Sequence, residues 1–132
     1  MVHGAKKLLV VFYSTRAGGQ PVRDWLNDDG EFNNADRKAI GTDVAKAEYG
    51  WPIGLPTCEP LGGGLFEIRT NLANNRITRI IFSIEGGKMV LLHGFVKKAR
   101  DGIKTPQDEI GLADKRRRDL RGRERQAKKG QP

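Results

Sequence analysis

A chain of 132 residues, 37% hydrophobic and 30% charged, has room for one domain that buries about two-thirds of its unfolded surface. A single cysteine, Cys58, excludes an internal disulfide framework and fits an inert, buried thiol better than a nucleophile. The longest N-terminal apolar run, Leu8 to Tyr13, falls far short of the roughly 20 residues that span a bilayer. No small-residue cleavage site follows it, so a cytoplasmic protein with no membrane partner is expected. The net charge of +8 is uneven: from Lys115 to Pro132 nine Lys/Arg face only Asp119 and Glu124, while the body is close to neutral. That C-terminus is either a solubilising tail or a segment drawn to polyanions.

Taken in order, Lys7 to Ser14 is rich in Val, Phe and Tyr and predicts a fully buried strand. Pro21 then opens a short helix that carries Val22, Trp25 and Leu26 on one face. A second helix is expected from Asn34 to about Tyr49, with Ile40, Val44 and Ala47 inward, and the two form a helical hairpin across one sheet face. Gly62-Gly63-Gly64 reads as a turn before a strand. Leu65–Thr70, Arg76–Glu85 and Lys88–Val96 read as an antiparallel meander, joined by turns at 71–75 and at Gly86-Gly87, to which the first strand adds. Strict alternation places Ile80, Phe82 and Ile84 on one face with Arg79 and Ser83 on the other, and groups His93 with Met89, Leu91 and Phe95. Thr105-Pro106 marks a helix start, with Thr105 as cap and a helix to about Leu120. The whole is an α+β fold: one domain over 1–121, then a basic tail without order over 122–132.

No spacing of His3, His93 and Cys58 suits a metal, and no glycine pattern suits a dinucleotide, so no cofactor is expected. What remains is a set of cations on the meander and its exit: Arg69, Arg79, His93, Lys97 and Lys98. If the helical hairpin covers one face, these can line a shallow basic groove on the other. RNA cleaves through its own 2′-hydroxyl once it is given a proton acceptor, a proton donor and positive charge. His93 can be that acceptor, or a half-buried sheet histidine with a structural hydrogen bond. The arginines can clamp phosphate, or they can be strand residues paired with Glu67 or Glu85.

Several of these residues also carry a resemblance. Gly64-Leu65-Phe66-Glu67-Ile68-Arg69, Arg79-Ile80-Ile81-Phe82, Val90-Leu91-Leu92-His93-Gly94-Phe95-Val96-Lys97-Lys98 and Lys104-Thr105-Pro106, in that order and followed by Glu109-Ile110 and Ala113, resemble the phage-derived, HigB-like branch of the RelE toxin superfamily over residues 7 to 118. The resemblance implies a RelE-like fold and a metal-independent endoribonuclease that cuts mRNA on the ribosome. It also implies a small helix-turn-helix antitoxin, with operator DNA bound only through the toxin–antitoxin complex. On this reading His93, Arg79 and Lys97 are the catalytic candidates, and Arg69, Arg76, Lys98 and Arg100 the RNA-binding ones. Relatives elsewhere in the superfamily place a catalytic tyrosine near the C-terminus, whereas this chain has only Tyr13 and Tyr49. The alternative is a non-catalytic RNA- or ribosome-binding protein, or a phage-related adaptor, of the same fold.

Overall fold

The computed structural model describes residues 5–98, 101–102 and 104–130. In chain order these form β1 (Leu9–Phe12), α1 (Pro21–Leu26), α2 (Asn34–Gly50), β2 (Cys58–Gly62), β3 (Leu65–Leu72), β4 (Arg76–Glu85), β5 (Lys88–Lys98) and α3 (Gln107–Lys129). The five strands make one sheet in the order β1-β5-β4-β3-β2. Strands β2 to β5 are antiparallel neighbours, and β1 joins the far edge parallel to β5. This is the expected α+β architecture with a C-terminal helix.

Two apolar layers hold it together. On one sheet face α1 and α2 bury Val22, Ile40 and Ala47 against Ile68, Ile80, Phe82, Met89 and Leu91. Helix α2 starts where Asn33 and Asp36 exchange side-chain and backbone hydrogen bonds, satisfying donors that a helix start leaves open. On the other face α3 sets Ala113, Ile110 and Leu120 over Leu65, Ile81, Val90 and Leu92.

Four expectations need correction. Strand β1 is an edge strand rather than a fully buried one, with Leu9 53% exposed, because only β5 pairs with it. Strand β2 was not anticipated, since Pro60 argues against a strand; at a sheet edge a missing N–H costs no ladder bond. Helix α3 continues past Leu120 to Lys129, where the absence of an apolar stripe had suggested no order. Strict alternation also fails in β5. Ile81 pairs with His93 but Phe82 pairs with Leu91, so Leu92 is a bulge that throws His93 and Phe95 onto the α3 face, away from Met89 and Leu91.

Gly94, next to that bulge, points at the helical hairpin. A β-carbon there would lie 2.2–2.8 Å from three ring atoms of Trp25. A rigid indole cannot yield by that much, so Gly94→Ala is expected to cost about 1–3 kcal/mol through overpacking. The urea midpoint reads this out; an unchanged midpoint would mean that Trp25 is not seated on β5.

Candidate functional site

With the bulge in place, pairing across β3, β4 and β5 sorts the α3-facing side chains into rows. Glu67, Ile81 and His93 form one row, Arg69, Arg79 and Phe95 the next, and Asn71, Ile77 and Lys97 a third. Arg69, Arg79, His93 and Lys97 share one face, whereas Lys98, expected beside them, pairs with Arg76 and falls on the other. What the sequence did not reveal is that each of the first four is already engaged.

Glu67 is the hub. Fully buried, it accepts hydrogen bonds from Arg79 Nη1 at 2.9 Å, Arg69 Nε at 3.0 Å and Thr105 Oγ1 at 2.7 Å. Thr105 was expected to cap α3. Its hydroxyl donates to the buried carboxylate and its oxygen accepts from Arg79 instead, and α3 begins after Pro106 without a side-chain cap. Arg79, expected as a catalytic side chain at the groove, is 1% exposed and held between Glu67 and Thr105. It therefore serves here to neutralise Glu67 rather than to meet a ligand. Arg69 is the outermost member of this group, bonded to Glu67 and to Glu59 of β2 and still partly exposed. It lines two concavities. One, of about 420 Å³, is bounded by Glu59, Lys104, Thr105 and Ile110; the other, of about 340 Å³, by Asp43, Lys46, Asn71 and Ile77. Burial and the neighbouring Arg79 both lower the pKa of Arg69.

Lys97 is buried and donates from Nζ to the Lys104 carbonyl at 2.6 Å, closing the loop between β5 and α3. His93 is half-buried, less open than Arg69. Its ring stacks on Phe95 with centroids 5.7 Å apart, and Nε2 lies 3.2 Å from Glu109 Oε1 on the first turn of α3. The side chains of the pair are 14% and 25% exposed. Sixteen residues of sequence separate Glu109 from His93, which hid their partnership.

The remaining candidates lie elsewhere. Arg76 was expected to contact RNA. It belongs to the opposite sheet face, where it donates twice to Asp36 and once to the Glu31 carbonyl, fastening β4 to the start of α2. Lys98 is opposite Arg76 in the ladder and exposed. Arg100 lies outside the described residues. Tyr13, the tyrosine nearest α3, is 5% exposed and donates to Asp119 Oδ2 at 2.7 Å. Burial and then Asp119 raise its pKa, so it stays a neutral donor that locks β1 to α3 and does not stand in for a catalytic phenolate. Burial pushes the Cys58 thiol up to about 11, which leaves it inert. Among the described residues no group of three or more His, Cys, Asp or Glu converges as a metal site, and no helix is long and apolar enough to cross a membrane.

The ion pairs that fasten the helices give the fold an acid limit. Asp36 is held low chiefly by the Asn33 backbone, Glu85 by Arg121, Asp114 by Arg117 and Asp119 by the Tyr13 hydroxyl. Each folded pKa lies below its unfolded value. Each group therefore stabilises the fold above about pH 4, and that contribution is lost as the pH falls through the folded value. Urea midpoints should stay level from pH 5 to 8 and drop towards pH 3; a midpoint that rises on acidification would contradict this.

A family model described as phage derived protein Gp49-like (DUF891) matches residues 25–118. No curated protein matches the chain at a significant level.

Proposed function

Since the chain belongs to this phage-derived, Gp49-like family, a RelE-like family associated with the toxins of toxin–antitoxin systems, we propose that it is such a toxin and that it cleaves messenger RNA on the ribosome. The observation that carries the reading is the extent of the match, residues 25–118. It contains every member of the Glu67–Arg69–Arg79 and His93–Phe95–Glu109 groups.

The proposed chemistry uses the RNA's own nucleophile. With Glu109 ionised, Nε2 of His93 carries the shared hydrogen and Nδ1 is left as the basic nitrogen. That nitrogen takes the 2′-hydroxyl proton while the 2′-oxygen attacks phosphorus. The bond to the 5′-oxygen breaks, that oxygen leaves with a proton from solvent, and the products are a 2′,3′-cyclic phosphate and a 5′-hydroxyl. Arg69, already half turned to its two concavities, offers a guanidinium to the phosphate by exchanging Glu59 for it. Phe95, stacked on His93, offers an apolar surface for a base. Arg79 and Lys97 act behind them, Arg79 by fixing Glu67 and Lys97 by holding the loop that ends at Lys104.

The partner that silences the protein is, on this proposal, a small helix-turn-helix antitoxin. Brief induction of the chain alone should arrest growth, and co-expression of that partner should restore it. Normal growth on induction, with the protein soluble and folded, would overturn the reading. One observation favours the second reading, an RNA- or ribosome-binding protein that does not cut: Arg69, Arg79 and Lys97 each hold an internal partner. That reading expects ribosome association with intact transcripts.

A further inference from the structure

Helix α3 has two halves with different tasks. Up to Arg123 it is tied to the body: Arg116 donates to the Leu92 carbonyl, Arg117 to Gly63, Arg121 to Glu85 and Arg123 to Ser14. From Glu124 to Gly130 every residue is exposed. The family match ends at residue 118, so this half lies outside the matched segment.

Along the outward side of the helix Lys115, Arg118, Arg125 and Lys129 are all exposed. At 3.6 residues per turn they fall within a sector of roughly 80°, in a row about 21 Å long. Arg118, 72% exposed, pairs with Asp114 of its own helix, and Glu124 lies on the opposite side from the row. Lys128, in the last turn, flanks it. None of the cations in the row reaches the body of the protein.

We propose that this row is a docking arm for the phosphodiester backbone of RNA, read without regard to sequence. The exposed arm carries no aromatic or branched apolar residue. A protein partner would need such an anchor, and a membrane surface would need an apolar face. Phosphate contacts need neither, because their free energy comes from released counterions. The choice of RNA over DNA rests on the proposed function above; the arm itself does not depend on whether the protein cuts. It would hold the toxin on structured RNA while the sheet face works on a separate strand.

The test is fluorescence anisotropy of the full chain with a labelled RNA hairpin in 50–200 mM KCl, set against the variant Lys115→Gln, Arg118→Gln, Arg125→Gln, Lys129→Gln. The wild type should bind with an affinity that falls steeply with salt. The variant should bind more weakly, with a log–log slope shallower by about 3, from roughly 0.7–0.9 per lost phosphate contact. Its urea midpoint should match the wild type, because glutamine keeps the helix and none of the four side chains anchors it. Equal slopes for the two proteins would overturn the proposal. So would displacement of the RNA by polyglutamate as readily as by unlabelled RNA, which would point to an acidic protein, or a clear preference for a DNA duplex of equal length. The hairpin measures binding alone, so its failure leaves the cleavage reading standing, and failure of cleavage leaves the arm standing.

Discussion

Replacing Glu67 by alanine is expected to destabilise the protein by about 3–5 kcal/mol, the largest stability effect of any substitution considered. Its carboxylate is fully buried and is the shared acceptor of Arg79, Arg69 and Thr105. Removing it leaves the Arg79 guanidinium, 1% exposed, in a low-dielectric interior without the Glu67 counter-charge. Coulombic attraction in such a buried pair is largely spent on desolvation, so the cost lies in breaking the pair rather than in lacking one. The double variant Glu67→Leu, Arg79→Met should therefore recover most of the loss. Urea unfolding of the two singles and the double closes the cycle. A single Glu67→Ala variant within 1 kcal/mol of wild type would show that the network is not buried as described.

His93→Ala is expected to reduce RNA cleavage by about 10²–10⁴-fold, the range that a positioned proton acceptor contributes. The imidazole is outside the buried apolar clusters and stands between Phe95 and Glu109, so its removal should leave the fold intact. Glu109→Gln should fall between wild type and His93→Ala. It keeps an oxygen that can orient Nε2 but loses the carboxylate charge that supports the imidazolium formed during proton transfer. Stability and cleavage must be measured on the same preparations. If His93→Ala cleaves at the wild-type rate while remaining folded, the proton acceptor lies elsewhere on the face.

Much of the fold could be read from local pattern. Strand β4 ends where alternation and the Gly86-Gly87 turn place it, and the inward residues of α2 follow helical spacing. What escaped had non-local causes. Pro60 sits in a strand because β2 is an edge, and Leu92 is a bulge that turns His93 under α3. Neither follows from its neighbours in sequence. The far half of α3 is helical without an apolar stripe, held by pairs such as Arg123–Asp119 and by Lys128 and Lys129 at the negative end of the helix.

The candidate site was legible as a face but not as a state. Sequence pattern gathered Arg69, Arg79, His93, Lys97 and Lys98, and the structure keeps the first four on the α3 side of the sheet and turns Lys98 to the other. The carboxylates and carbonyl that occupy them could not be paired in advance, because Glu59, Lys104, Thr105 and Glu109 come from elements whose docking decides who meets whom. Arg76 shows the converse: as a cation on the same strand as Arg79 it invited the same role, yet the ladder turns it to the other face and to Asp36.

The most direct measurement is a map of transcript 5′ ends after a short pulse of expression. New 5′-hydroxyl ends are expected to concentrate inside translated reading frames, and to be absent when translation is blocked and absent with His93→Ala. Transcripts that stay whole while the protein accumulates, or cuts spread equally over untranslated RNA, would contradict it.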